Sequence, residues 1–251
     1  MSKRFYVKKA AGDSELFSFD KIKRSLRKAK VKKSEIEKVI NSIKNQIKPG
    51  MSTATIYQLV FKTLKSFNKQ HAARYSLKRA IMRLGPDGFP FEKFLAAVLA
   101  EHGYNVWTNQ FFEGYCLNHE IDVVAENPKR HIHAIIEAKF HSRPGRKTGA
   151  KEALYTHARF LDVNKSWVAK RKAGAKPAKG ELQNWLVTNT KVTSEVKKYA
   201  LCINMKVISW DYPAGQNLQN LIEDIGLYPI TALITLSQHQ KKSLLHQDIV
   251  L

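Results

Sequence analysis

Asp122, Glu137 and Lys139 are the residues whose types and spacing most directly suggest chemistry. They stand on two apolar runs, Ile121 to Ala125 and Ile132 to Ala138, joined by the polar connection Glu126-Asn127-Pro128-Lys129-Arg130. That is the pattern of a β-hairpin. Glu137 and Lys139 are two apart and so share one face of a strand. Neighbouring strands lie about 4.8 Å apart, which lets Asp122 and Glu137 share one hard cation through carboxylate oxygens, with Lys139 beside it as a point charge. Charges at the ends of apolar strands are costly unless they compensate one another or a metal does. An ordinary ion pair at a sheet end meets the same need. A second Glu-x-Lys, Glu195-Val196-Lys197, sits among Val196, Tyr199 and Ala200 at helical spacing and reads as a solvated helix face.

The surrounding pattern is that of a mixed α/β sheet. Phe89 to His102 reads as a helix with Phe91, Phe94, Leu95, Val98 and Leu99 inward and Glu92 in its first turn, where a carboxylate suits the helix dipole. Tyr104 to Phe112, Leu182 to Thr190 and Lys206 to Trp210 read as further strands, and Thr193 to Leu201 as a helix. Between Asn164 and Gly180, six basic residues (Lys165, Lys170, Arg171, Lys172, Lys176 and Lys179) suggest a solvated loop within reach of phosphate. His131 and His133 are expected on one side of a strand, with His119 and His141 nearby. No cysteine has ligand spacing to them, so zinc is not assigned.

With Glu92, the phrases His119-Glu120-Ile121-Asp122-Val123-Val124-Ala125 and Ile136-Glu137-Ala138-Lys139-Phe140-His141 resemble the Mrr-like branch of the PD-(D/E)xK nucleases. The resemblance runs from about Phe89 to Pro229 and includes Trp185-Leu186-Val187-Thr188-Asn189 and Trp210-Asp211-Tyr212-Pro213. It implies a restriction-endonuclease-like fold and a Mg2+ (or Mn2+) ion on Asp122 and Glu137. It also implies a lysine, Lys139, that positions or activates the attacking water, and a helix glutamate, Glu92, that completes the site.

Ahead of this region, residues 5 to 19 read as a strand, a turn and a second extended piece. Four helical stripes follow, with Ser34 as N-cap of the second, Thr53 opening the third and Ala72 to Leu84 forming the fourth. This helical bundle with a β cap resembles an ATP-cone through Val7-Lys8-Lys9, Gly12, Glu15, Phe19-Asp20-Lys21-Ile22 and Tyr75 to Arg79. The resemblance implies regulatory binding of ATP or dATP at Val7, Lys9, Lys21 and Thr53, with phosphate near a helix N-terminus. The cap turn, Lys9-Ala10-Ala11-Gly12, lacks the usual arginine and acid of that family.

The breaker cluster Gly85-Pro86-Asp87-Gly88 divides the chain into expected domains 1–85 and 89–229. Stripes at Leu233, Leu236, Leu244 and Leu245 predict a short helical appendage over 230–251. Across the 251 residues the net charge is +22. Residues 1–85 hold 22 Lys/Arg against 5 Asp/Glu, a net +17. Such a field attracts polyanions, foremost nucleic acid, with an anionic membrane surface as the alternative. Two cysteines, no h-region after Met1 and no apolar run of about 18 residues lead to the expectation of a cytoplasmic protein. No Gly-rich loop ends in Lys-Ser/Thr, so nucleotide is expected as a signal rather than a fuel. The sum is a Mg2+-dependent DNA endonuclease modulated by adenine nucleotide, for which double-strand cutting would favour a homodimer. The competing reading is a catalytically silent, nucleotide-responsive DNA-binding regulator.

Overall fold

The computed structural model describes residues 5–9, 12–172 and 180–251 and is a mixed α/β structure. Its N-terminal part pairs β1 (Tyr6–Lys8) with β2 (Ser14–Leu16) in a small antiparallel cap over α1 (Phe19–Lys28), α2 (Lys33–Ile43), α3 (Thr53–Phe67) and α4 (Lys69–Ile81). The helical stripes drive this packing: Ile22 and Leu26, then Ile36, Val39 and Ile43, then Ile56, Val60 and Leu64 turn inward around Val7 of the cap. Side-chain caps define three helix starts, with Ser18, Ser52 and Asn68 accepting from the amides of Asp20, Thr55 and His71. Two boundaries differ from the sequence reading. Ser34 is not an N-cap, because α2 has already begun at Lys33, just after the buried Val31 anchors the chain. The fourth helix starts at Lys69 rather than Ala72, because Asn68 caps it.

The larger unit follows in order: α5 (Phe89–Glu101), β3 (Asn105–Glu113), β4 (Asn118–Asn127), β5 (Ile132–Lys139), β6 (Lys147–Thr148), α6 (Ala150–Lys172), β7 (Glu181–Thr188), β8 (Lys191–Val192), α7 (Ser194–Cys202), β9 (Lys206–Ile208), α8 (Leu218–Ile225) and α9 (Gln238–His246). The main sheet has the order β3-β4-β5-β7-β9. It is antiparallel through β3, β4 and β5, then parallel through β7 and β9. Parallel strands need long crossovers, which the chain segments carrying α6 and α7 supply. Alternate β5 residues Ala134, Ile136 and Ala138 join the core under α5, while Ile135 packs with Val163 of α6.

The basic stretch after Asn164 is not a loop up to Lys172 but the last turns of α6. Val163 and Ser166 are buried there and Trp167 packs beside Val163, so an inward stripe carries the helix onward while the lysines face out. Lys176 and Lys179 lie outside the described residues. His131 is not in a strand: it takes a left-handed conformation (φ 52°) after the short turn of helix Pro128–Arg130.

Helix α4 serves two cores. Ala72 and Tyr75 pack into the N-terminal bundle, whereas Leu77 and Ile81, with Leu84 just beyond, pack against Phe91, Phe94 and Trp185. Residues after 230 fold back over the same helix. Thr231 Oγ1 donates to the Ala80 carbonyl at 2.8 Å, and Lys241 Nζ donates to the Thr231 carbonyl at 3.1 Å. Ile81 is fully buried at this junction. Ile81→Ala should therefore cost about 2–5 kcal/mol of unfolding free energy, read from the urea midpoint. A loss below about 1 kcal/mol would show that the junction collapses to fill the space.

Candidate active site

The ladder between β4 and β5 is paired from Asn127↔Ile132 to Val123↔Ile136 and then stops. Asp122 is the next residue of β4, still paired to β3 through its neighbours. Its Oδ2 accepts the Ala138 amide at 2.8 Å. A carboxylate thus replaces the backbone acceptor at the point where the ladder ends. Asp122 lies in the interior of β4 rather than at its start.

Glu137 is one residue earlier on β5 and turns to α6, where Arg159 Nη1 lies 2.8 Å from its Oε2. The same guanidinium nitrogen donates to the Glu120 carbonyl at 3.0 Å, and the group lies over the Tyr155 ring. Beyond this ion pair, Glu137 Oε2 and Arg159 Nε are buried with no hydrogen-bond partner among the described residues. The contact is therefore best treated as an electrostatic pair that leaves hydrogen-bonding capacity unused. Lys139, on the same strand face, forms no ion pair among the described residues, yet its charge helps hold Asp122 and Glu137 ionised.

Glu92, at the start of α5, completes an acidic group. Burial first, and then the negative charge of Asp122, push its carboxyl up to about 7, against a hydrogen bond from Asn109. Burial also raises Asp122 above the usual carboxylate range, opposed by the Ala138 amide and by Arg159. Glu137 is raised by burial and by Asp122. The structure thus brings together all four residues singled out around the hairpin. Arg159, Asn109 and Glu120 were not anticipated. Arg159 did leave a signal: it stands three after Thr156 and four before Val163, both buried, so it occupies an inward helix position that demands a partner.

Among the described residues no three His, Cys, Asp or Glu side chains form a ready-made metal cage. The donors do fit a hard cation. Mg2+ keeps several waters and needs only one or two carboxylates. Asp122 and Glu137 each keep a second oxygen outside these bonds, and an orphaned buried oxygen beside mutually repelling carboxylates is relieved by a divalent charge. The histidines do not gather: His119 pairs with Asp162 at 2.8 Å, His133 with Glu126 at 3.2 Å, and His141 bonds Thr148. A cavity of about 720 Å3 near Trp167 and Asn184 lies toward the other end of α6 and touches none of the carboxylates.

In the N-terminal bundle, Val7, Lys21 and Thr53 line a pocket of about 140 Å3 together with Phe17, Tyr57 and Tyr75. Lys9 stands at its edge through Glu15, whose Oε2 lies 3.1 Å from Lys9 and 2.8 Å from Lys21. The Lys21 bond, then Lys9, hold the Glu15 carboxyl below its ordinary range. Both lysines are thus engaged by an acid that an anionic ligand would have to displace.

Residues 5–83 match the ATP cone domain family, which defines the first part of the chain as an ATP-cone. An uncharacterised protein of Archaeoglobus fulgidus is 45% identical over 139 residues, 55% of this chain and 71% of that protein. The chain belongs to the same family as this archaeal protein. The crystal structure of AF1548, a protein of unknown function, shares 38% identity over 65% of this chain and 80% of its own length, with a TM-score of 0.53. The MspJI restriction endonuclease in complex with a 27-mer oligonucleotide aligns over 74% of this chain and 36% of its own, at 12% identity and a TM-score of 0.30, too distant a likeness to bear on the site. No helix among the described residues is long and apolar enough to cross a membrane.

Glu92 supplies a prediction with a definite sign. Its folded pKa is raised, so its contribution to stability is present below the unfolded value of 4.5 and is lost as pH rises through about 7. Glu92→Gln should therefore be more stable than the wild type at pH 8, by roughly 1–3 kcal/mol after solvent screening. The gain should vanish near pH 4, as measured by chemical denaturation in chelator. An equal effect at both pH values would mean that Glu92 does not titrate in this window.

Proposed function

We propose that the chain is a metal-dependent DNA endonuclease whose ATP-cone modulates it by binding ATP or dATP. The observation that supports this most is the gathering of Glu92, Asp122 and Glu137 around the open end of the β4–β5 ladder, with Lys139 on the same strand face as Glu137. Asp122 and Glu137 would hold Mg2+ or Mn2+, and Glu92 would complete the acidic shell. When bound, the ion would polarise a phosphodiester and acidify a water. Lys139 would orient that water and stabilise charge developing on the phosphate. Glu92, titrating near neutrality, would accept or return a proton at the edge of the site. Arg159 would hold Glu137 in the metal-free site and, once released, offer positive charge to a phosphate oxygen. In this reading residues 1–85 form the regulatory unit, 89–229 the catalytic unit and 230–251 a brace on α4. The net +17 of the first unit would add affinity for the DNA backbone.

Adenine nucleotide would enter the pocket of Val7, Lys21 and Thr53, its phosphates drawing Lys9 and Lys21 from Glu15. A cone performs no chemistry of its own, so nucleotide matters only by binding one conformation or assembly better than another. One observation favours a second reading. The Glu137–Arg159 pair neutralises an acid internally, as a catalytically silent DNA-binding regulator would require.

Plasmid cleavage separates the two. Asp122→Ala and Glu137→Ala should abolish Mg2+-dependent cleavage, by at least about 100-fold, while DNA retention at low salt survives because the basic field is intact. Lys139→Ala should slow turnover and leave Mn2+ binding in place. Wild-type protein that binds DNA but leaves plasmid uncut in Mg2+ and in Mn2+ would support the regulator instead. Lys9→Ala with Lys21→Ala should make cleavage indifferent to ATP at fixed free Mg2+. Continued ATP response in that double variant would remove the nucleotide from this pocket.

A further inference from the structure

A third cavity, of about 270 Å3, lies where the ATP-cone meets the sheet unit. Its lining draws Lys28 from α1, Arg74, Lys78 and Arg79 from α4, and Trp210 from the segment after β9. No acidic side chain lines it, and none of these four cations is ion-paired with a carboxylate among the described residues. Arg79 stacks its guanidinium 3.4 Å over Tyr57, and Lys78 Nζ lies 5.7 Å from the centre of the Trp210 ring. Asp211, whose charge favours the charged form of Lys78, is itself taken by Lys191.

Four cations collected in a partly buried cleft repel one another and lose hydration, a cost that a bound anion would reverse. We infer that this cleft is a binding site for an oligophosphate group, held by Lys28, Arg74, Lys78 and Arg79 beside Trp210. Its geometry favours a small anion over a duplex. The cleft is open on one side, and its volume of about 270 Å3 admits a short run of phosphates but not a groove-width of DNA. Burial, and for Lys78 also the neighbouring Lys191, depress the pKa values of Lys78 and Arg79. An anion would restore them.

The site is distinct from the cone pocket and does not require that pocket to hold a nucleotide. The two share Tyr57, Tyr75 and Ser25 as a common wall. An anion in the cleft would touch both units, since the Trp210 amide donates to the Thr190 carbonyl and Asn189 brackets the backbone of His141, two residues after Lys139. The oligophosphate could belong to a nucleoside triphosphate or be free, and the chemistry of recognition is the same for both.

The test is calorimetric titration of the full chain, in metal-free buffer, with inorganic triphosphate, ATP and adenosine in separate arms. Triphosphate should bind. Lys28→Gln with Lys78→Gln should weaken the cleft's binding event by about tenfold or more for each positive charge removed, whereas Lys9→Ala with Lys21→Ala should remove only a separate event at the cone pocket and leave one binding event per chain. ATP binding that falls in both double variants identifies a nucleotide as a source, whereas triphosphate binding without an ATP contribution points to the free anion. Adenosine should be insensitive to Lys28→Gln with Lys78→Gln. Should that variant melt early, the more exposed Lys28→Glu alone, with quenching of Trp210 fluorescence referenced to Trp210→Phe, replaces it. Triphosphate binding that disappears only with Lys9 and Lys21 would overturn the proposal and leave the cone reading standing. No binding at millimolar triphosphate, or displacement by a short duplex but not by ATP, would also overturn it.

Discussion

The bond from the Ala138 amide to Asp122 Oδ2 is the interaction on which the candidate site depends. It ends the β4–β5 ladder without leaving a buried amide unpaired, which would cost about 1–3 kcal/mol. It also brings a carboxylate to the step where Glu137 turns toward α6 and Glu92 arrives from α5. Three acids in one partly buried place repel one another, and the protein itself supplies only partial relief through Arg159 and Lys139. That residual imbalance is stability sacrificed at a site, the pattern expected where charge must later be met by a ligand.

The two units are joined by shared packing rather than by a free linker. Leu77 and Ile81 carry α4 out of the cone bundle and into the core beneath the sheet, and Thr231 fastens the C-terminal residues to the same helix. The Gly85-Pro86-Asp87-Gly88 breaker therefore marks a change of direction more than a change of core. A helix embedded in both units is a physical element through which occupancy on one side can bias the other, provided it has two arrangements.

Much of this was legible in the sequence, for reasons visible residue by residue. The apolar runs Ile121 to Ala125 and Ile132 to Ala138, with the polar connection between them, mark the hairpin, and the two-residue spacing of Glu137 and Lys139 puts them on one face. Both are local signals. Arg159 was not identified because its partner lies 22 residues away, although a charged residue on an inward stripe was a clue. The turns of α6 after Asn164 were misread because lysine density outweighed the stripe of Val163, Ser166 and Trp167. The two-residue spacing puts His131 and His133 on one face only if both are in the strand, and the left-handed turn before Ile132 separates them. The cleft at Trp210 joins residues from α1, α3, α4, α8 and the segment after β9 and has no local signature.

The central claim is that Asp122 and Glu137 hold a hard cation for phosphodiester hydrolysis. Anomalous diffraction from crystals soaked in Mn2+ tests it most directly. A single peak at about 2.0–2.6 Å from a carboxylate oxygen of each residue, with Glu137 drawn from Arg159, is the result this account predicts. Crystals that stay free of any peak there at saturating Mn2+, with Glu137 still paired to Arg159, would contradict it.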